Sequence, residues 1–596
     1  MPSNLELAAL FREIANLLEI KGEVVYKYLA YREAARQIEN YPHGVEALAR
    51  AGRTREVPGV GDAIARKIEE LVATGRMEFL ERTRAEVPTT LADLLQIPGL
   101  GAKKIQTLHR SLGVSSMDDL RAALAAGQIR ALPGMGARTE ERLAVEVERW
   151  RERGRRIPIG AARAVADDAV AHLRSAFPDL TAIEAAGSLR RWRDTIGDID
   201  IVVGAADAPP LIAAFIAMPG VRDVLGAGDT RASIVSTASV QIDLRVVPRQ
   251  AFGAAMQYFT GSKAHNVRLR ALAQRMGLTL NEYALSEEAT GRVVASATEE
   301  EIYAALGLPW IPPELREDLG EFEAGQAGTL PRLIEAADLI GELHAHTDWS
   351  DGHLTLEGVA HLAATHGRRY LAITDHSIGL AMARGLDADR ARAQWEQIDA
   401  WNARGEPPWL LKGVELEILA DGTLDLDPET LAGFDIVVAS VHSMLRQDRG
   451  EMTSRLVRAV SHPRVDVLGH ATGRILGRRD AYEVDMEAVL AVAAAHGVAV
   501  EINASPDRLD LDDALARQAR AMRVQVPINC DVHRPEGFDD TRFGVMTGRR
   551  AWLSPEDVLN TRDLAGIRDW LMDRRRRAQT LATPRSAIGE IAETAL

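Results

Sequence analysis

Apolar and polar positions change rhythm several times along this chain of 596 residues, and each change marks a different kind of element. The opening run, SNLELAALFREIANLLEI, sets acids and arginines between its apolar residues. That is the pattern of an amphipathic helix capped by Ser3 or Asn4, not of a secretory signal. The helical rhythm continues through residue 155, broken by three related stretches: VPGVGDAIARK (57–67), IPGLGAKKIQ (97–106) and LPGMGARTEE (132–141). Each places Pro-Gly-apolar-Gly between helical segments, a tight turn between two helices. Residues 187–203, GSLRRWRDTIGDIDIVV, close on the β-branched run Ile201-Val202-Val203 and predict a strand. Val240–Val246 alternates apolar and polar, with Asp243 on the polar face. The acidic, Gly-bearing stretch 318–338 reads as a linker. Beyond it, strand-like runs alternate with Ala-rich helical ones and end repeatedly in a histidine or an acid. They are GELHAH (341–346), YLAITDH (370–376), LLKGVE (410–415), DIVVASVH (435–442), VDVLGH (465–470) and VPINCDVH (526–533). Alternating β and α units predict a parallel sheet or barrel, and barrels gather active residues at the strand C-termini.

Candidate chemistry follows from where the polar residues fall in this pattern. Asp198 and Asp200, at i and i+2 of a strand, share one face at roughly 6–7 Å along the chain. Two bare carboxylates held at about 4 Å repel by roughly 4 kcal/mol at an effective dielectric of about 20. The pair therefore implies a cation or exposure to solvent. Just upstream, Gly187-Ser188 followed by Arg190, Arg191 and Arg193 offers a tight turn and a clamp for a polyanion. With Asp243 as a third acid, three aspartates on two strands suit a pair of Mg²⁺ ions engaged in phosphoryl transfer. In the helical region, Gly59, Gly61, Gly99, Gly101, Gly134 and Gly136 let the backbone turn and present N–H groups to a phosphate. Ile64, Ile68 and Leu71 form an apolar stripe with Lys67 at its edge, where partial desolvation lowers an amine pKa. Six of the fifteen histidines end strand-like runs, in company with Asp351, Glu415 and Asp531. Nitrogen and carboxylate donors together suit Zn²⁺, Mn²⁺ or Fe²⁺ better than Mg²⁺ alone, and such ions activate water near neutral pH.

Composition narrows the class without naming it. A hydrophobic share of 46% with 26% charged residues is ordinary for soluble globular protein, and the length predicts several domains. The single cysteine, Cys530, excludes an internal disulfide and fits a reducing compartment. No apolar run approaches the roughly 18–20 residues needed to span a bilayer, so a cytoplasmic protein without a membrane partner is expected. The net charge of −15 is unevenly placed. Residues 1–158 hold 25 Lys and Arg against 22 Asp and Glu, whereas the remainder holds 46 against 64. Attraction to a nucleic acid is therefore local, modest and strongly salt-dependent.

The motif set GSLRRW, GDIDIVV, IDLRVVP (242–248), YFTGSKAHN (258–266) and LNEYAL (280–285) resembles the bacterial family X DNA polymerases, which are DNA polymerase beta-like. The resemblance implies that Asp198, Asp200 and Asp243 are the catalytic ligands of two Mg²⁺ ions. It implies that Arg156, Gly187, Ser188, Arg191 and Gly197 hold the incoming triphosphate. Tyr258 and Phe259 would exclude a ribose 2′-hydroxyl, Gly261 would admit the sugar, and Asn266 and Arg270 would read the minor-groove side of the nascent pair. The three Gly-rich stretches resemble helix-hairpin-helix motifs, which grip DNA backbone without reading sequence. Residues 26–48 with the first hairpin resemble the family's small lyase domain, in which Lys67 would be the Schiff-base amine and Lys27 and Tyr31 keep DNA-binding positions. Ala63 departs from the pattern, because it replaces a phosphate-contacting lysine. The C-terminal histidines and acids resemble the PHP (polymerase and histidinol phosphatase) domain, a distorted barrel. His344, His346, Asp351, His376, Glu415, His442, His470, Asp531 and His533 match its nine ligand positions, for up to three Mn²⁺ or Zn²⁺ ions.

The fold class implied is multidomain α+β. A lyase-like helical domain would cover 1–90 and a helix-hairpin-helix subdomain 91–155. A nucleotidyltransferase palm would follow at 156–250, a thumb or nucleotide-pocket subdomain at 251–317, a linker at 318–338 and the PHP (β/α) barrel at 339–585. The implied function is gap filling in DNA repair joined to a 3′–5′ exonuclease or 3′-end phosphoesterase. Gapped or primer–template DNA and deoxynucleoside triphosphates are the expected partners of a monomer. Two other classes stay open: a histidinol-phosphatase-like small-molecule phosphoesterase with a vestigial polymerase, and a noncatalytic scaffold that binds DNA gaps.

Overall fold

The computed structural model describes residues 4–39, 45–88, 90–95, 97, 99–153 and 156–582. Ser3, one of the two expected helix caps, lies outside the described residues, as do Pro98 of the second hairpin and residues 40–44 of the lyase-like segment. The chain divides into two compact units, Met1–Arg155 and Arg156–Leu596.

The first unit is helical, as the periodicity predicts. Helices Asn4–Lys21 and Val25–Glu39 pack along each other, and a single core runs from Phe11, Ile14 and Leu17 through Ile64 and Ile68 to Leu108, Leu120 and Leu143. In the hairpins the first glycine takes a left-handed backbone, with φ of +73° at Gly59, +84° at Gly99 and +75° at Gly134. A side chain there would be strained. The second glycine begins a helix: Gly61 caps Asp62–Thr74 and Gly101 caps Ala102–Leu112. A Cβ placed on Gly61, Gly101, Gly134 or Gly136 meets nothing within 4 Å, so these helix starts face open space.

The second unit begins with a five-stranded sheet of β1 (Ile183–Ala185), β2 (Asp198–Gly204), β3 (Val221–Ala227), β4 (Arg231–Ser236) and β5 (Gln241–Val247). Their spatial order is β1-β2-β5-β4-β3, and β2 pairs with β5 in parallel while the other pairs are antiparallel. The β-branched face of β2 is buried against helix Ile159–Ala176, which leaves the aspartates on the opposite face. Helices Phe252–Thr260 and Lys263–Arg275, a small three-stranded sheet and helix Glu299–Ala305 follow around a second core. The stretch 318–338 differs from the linker expected. It forms helix Glu321–Ala327, and Glu321, Phe322, Leu333 and Ile334 are buried. One of its acids is an internal partner: Glu321 pairs with His265 Nδ1 at 2.8 Å and accepts the backbone N–H groups of Asp318 and Leu319.

The remaining strands run in chain order as a parallel sheet: β6 (Gly341–Ala345), β7 (Tyr370–Ile373), β8 (Trp409–Glu417), β9 (Ile436–Ser440), β10 (Val467–Leu468) and β11 (Ala499–Val500). After Glu501 the chain continues as β12 (Ile502–Asn503), which pairs with β13 (Ile528–Asn529). Val532, just beyond β13, bridges Ala345 of β6 and closes the ring. Short strands, a broken β11–β12 and this final bridge make it the distorted barrel that the alternation predicts. Leu509 and Phe543 from the barrel's connections sit in the core beneath the five-stranded sheet. Among the described residues, no helix is long and apolar enough to cross a membrane.

Candidate active sites

Parallel pairing of β2 with β5 sets Asp200 directly opposite Asp243 and Asp198 opposite Gln241. Asp200 and Asp243 open onto a cleft of about 580 Å³ lined also by Ser233, Arg231, Arg245 and Phe259. Burial pushes the Asp200 carboxyl up to about 7, helped by the charges of Asp198 and Asp243. Holding Asp200 ionised at neutral pH therefore calls for added positive charge. Asp243 is oriented by neighbours: Ser233 Oγ donates to Oδ1, and Gln241 Nε2 donates to Oδ1 at 3.1 Å and Oδ2 at 2.9 Å. Gly187 turns with φ +61°, and a Cβ there would lie 2.2 Å from Asp200 Oδ2. The turn can press against the carboxylate only because it lacks a side chain.

Of the other expected nucleotide contacts Phe259 lines this cleft, and the rest have varied commitments. Ser188 is half-buried in the turn helix Gly187–Arg190, and Gly197 directly precedes Asp198. Arg156 is exposed and donates to Thr195 Oγ1 at 3.0 Å. Arg191 donates to the Thr260 carbonyl and pairs with Glu317 at 3.1 Å. The clamp of three arginines is not what forms. Arg190 instead forks onto Glu299 at 2.8 and 2.9 Å, and Arg193 lies 4.0 Å from Asp513 of the barrel. Phe259 packs edge-on to Tyr258 at 5.2 Å and under the Arg245 guanidinium, also at 5.2 Å. Asn266 accepts from Gln257 and donates to the Tyr258 carbonyl, and its own carbonyl accepts from Arg270. Gly261, at φ +69°, sits against Arg191.

In the helical unit Lys67 Nζ lies 4.6 Å from the Phe79 ring centre and donates to the Ala63 carbonyl. Burial lowers its pKa, and the cations Arg66, Arg82 and Lys27 add to that. Tyr31 is a correction. It is 6% exposed and stacked between Phe11 and Phe79, so it walls Lys67 rather than facing DNA. Lys27 is exposed and paired with Glu23 at 3.1 Å.

In the barrel, the ends of six strands and the loop of Asp351 bring all nine expected donors together. Glu415 is central, within 3.0–3.5 Å of His344, His346, His376, His442 and His470. Asp531 lies 3.1 Å from His346, and Asp351 lies 3.4–3.5 Å from His376 and His533. Three overlapping donor sets result, each with its atoms within 4.8 Å of one another: His346, Asp351, His376 and His533; His344, His346 and Asp531; His376, Glu415 and His442. Among the described residues no such set includes the palm aspartates, which stand further apart. His344 Nε2, both His346 nitrogens, Glu415 Oε1 and Asp531 Oδ1 are buried without a hydrogen-bond partner. Each such atom costs roughly 1–3 kcal/mol unless something binds it, and cations fit the converging lone pairs.

Several functional residues went unnoticed in the sequence. Glu501 holds His344 Nδ1 at 2.8 Å and Glu417 holds His442 Nδ1 at 2.8 Å, leaving the far ring nitrogens for a metal. Asp375 fixes the loop to Asp351 through Thr347 and Ser350. An acid inside an apolar strand run, as in VAVEIN and VELEIL, was the available signal. Glu299 gave none, because it opens a run of three glutamates that reads as a solvated helix face.

Comparison with known proteins agrees with the architecture. Residues 255–317 match the family described as DNA polymerase beta thumb, 2–77 the helix-hairpin-helix domain, and 91–149 the SAM-like helix-hairpin-helix tandem. The chain is 36% identical to a protein of Bacillus subtilis (strain 168) named DNA polymerase/3′-5′ exonuclease PolX, over 95% of this chain and 99% of that one. It is 25% identical to DNA polymerase lambda of Rattus norvegicus over 53% of this chain and 56% of that relative. It is 29% identical to a probable phosphatase of Thermoanaerobacter sp. (strain X514), over 40% of this chain and 97% of that relative.

Proposed function

The chain belongs to the family X DNA polymerases, of the bacterial type with a C-terminal PHP domain, and from that premise we propose that it fills short gaps in DNA and trims the same 3′-ends. The observation that carries this reading is the pairing of two separate anionic centres in one compact unit. One is Asp200 facing Asp243 across parallel strands; the other is the nine-donor cluster of the barrel. Asp198, Asp200 and Asp243 would hold two Mg²⁺ ions, and the histidine-rich cluster up to three Mn²⁺ or Zn²⁺. When bound, such ions neutralise phosphate charge and acidify a hydroxyl or water.

In the polymerase half, Arg156, Ser188 and Arg191 hold the incoming triphosphate beside Gly187 and Gly197. Asp243, braced by Ser233 and Gln241, orients the primer 3′-hydroxyl for attack on the α-phosphate, and pyrophosphate leaves towards the arginines. Tyr258, Phe259 and Gly261 lie along the sugar, and Asn266 and Arg270 flank the new base pair. Gly59, Gly99 and Gly134 make the turns that let Gly61, Gly101 and Gly136 present open helix starts to duplex backbone, with Lys27 in the same unit. Lys67, partly desolvated among aromatic rings, is the amine for removal of a 5′-deoxyribose phosphate. In the barrel, Glu501 and Glu417 fix His344 and His442 so that their far ring nitrogens would take a metal ion beside the scissile phosphate.

A primer-extension assay on gapped duplex, with Mg²⁺ and with Mn²⁺, tests the reading. Asp243→Ala should abolish nucleotide addition and spare the nuclease, and Glu415→Ala should do the reverse. Loss of both activities in either folded variant would contradict two independent sites. The likeness to a probable phosphatase supports a second use of the barrel site, on phosphomonoesters. Phosphate released from a 3′-phosphate-blocked primer would establish it.

A further inference from the structure

Arg550 ends the barrel helix Thr541–Arg550, yet its hydrogen bonds run towards the polymerase site. The side chain is 3% exposed. Its Nη1 donates to the backbone carbonyl of Arg191 at 2.6 Å and reaches Glu317 Oε1 at 3.2 Å. Its Nη2 donates to Asp513 Oδ2 at 2.7 Å. The same Glu317 oxygen accepts from Arg191 Nε at 3.1 Å, so two arginines share one carboxylate oxygen. Arg191 Nη1 then donates to the Thr260 carbonyl, beside Gly261. The Arg191 backbone is thus held directly from the barrel, and its side chain through the Glu317 oxygen it shares with Arg550. Packing continues the seam: Trp192 meets Phe543 edge-on at 5.8 Å, and Arg474 pairs with Asp194 at 3.1 Å.

We propose that Arg550 is a positioning residue for the nucleotide pocket of the polymerase site, acting through Glu317 and the Arg191 backbone; this rests on the reading of Arg191 as a triphosphate ligand. Arg191, Arg193 and Arg550 face Glu317 and Asp513, so the cluster carries one net positive charge. Without Arg550 the Glu317 carboxylate belongs to Arg191 alone, and one positive charge is lost beside the arginine that must meet the triphosphate. The barrel domain therefore sets nucleotide affinity without touching the nucleotide. A lysine cannot reproduce the fork, since one ammonium cannot serve diverging acceptors in fixed directions.

Arg550→Met and the milder Arg550→Lys are compared with the full-length wild type in steady-state single-nucleotide gap filling, with exonuclease rate and thermal melting alongside. The nucleotide KM is expected to rise about tenfold in Arg550→Met and several-fold in Arg550→Lys, with kcat little changed and exonuclease retained. The lysine variant keeps the buried charge and tests the idea if the methionine variant unfolds. An unchanged nucleotide KM in Arg550→Lys beside an active wild type overturns the inference alone. So does a joint fall of kcat and exonuclease at constant KM, the mark of lost folded protein. A wild type unable to extend a primer overturns the polymerase reading and this inference with it.

Discussion

Gly187 and Asp200 are 13 residues apart in sequence and in contact in the fold. Replacing Gly187 by alanine would put a methyl carbon 2.2 Å from Asp200 Oδ2 at a left-handed φ of +61°. The carboxylate would have to move by more than an ångström, and displacement on that scale costs on the order of 100-fold in rate. Gly187→Ala should lose about that much nucleotide incorporation and keep its exonuclease, measured on one gapped substrate. Equal loss of both activities would show instead that the turn supports the whole fold. The motif marks Gly187 in the sequence, but its reason, a carboxylate pressed against the backbone, exists only in the fold. Tyr31 teaches the converse. Its motif position is kept, yet stacking between Phe11 and Phe79 gives it an internal duty.

At the scale of elements, the turn helix Gly187–Arg190 and helix Glu299–Ala305 are joined by a buried carboxylate. Glu299 is 6% exposed and meets Arg190 at 2.8 Å and Arg316 at 2.6 Å. Burial alone would raise its pKa, but Arg316 and Arg190 outweigh burial and hold it down to about 2. A carboxyl depressed from an unfolded value near 4.5 contributes stability that is complete above about pH 5. That contribution, about 3 kcal/mol, disappears as pH falls towards 2. The gap in unfolding free energy between wild type and Glu299→Gln should accordingly be widest above pH 5 and shrink with acid in urea titrations. A gap independent of pH would mean that Glu299 acts by shape alone. Neither this brace nor the helix of 321–327 was legible in the sequence. Both hide in acid-rich stretches, and acids look solvated until their buried partners are known.

At the scale of the molecule, the helical unit Met1–Arg155 has a core of its own, whereas the palm core takes in residues of the barrel. Leu509 and Phe543 of the barrel close the palm core, and Arg550, Arg474 and Arg549 tie the seam with Glu317, Asp194 and Glu314. Burial of two such apolar side chains is worth about 3–6 kcal/mol. A fragment ending at residue 338 should therefore lose roughly that much palm stability, read as a lowered urea midpoint. A fragment of residues 1–153 should keep a cooperative melt. An unshifted midpoint for the palm would show that the barrel is only tethered.

The sequence by itself determined the chemistry: which carboxylates, histidines and glycines occur, at what spacing, and hence the two centres and their order along the chain. Local rules suffice for that, because strand alternation and turn glycines act over a few residues. Only the tertiary structure decided which arginine serves which carboxylate, that the acidic stretch 318–338 is folded, and that the barrel completes the polymerase half. Those outcomes depend on pairs such as Arg191 with Arg550. Such residues are remote in the chain, and only packing brings them together in a medium where one unpaired charge is costly.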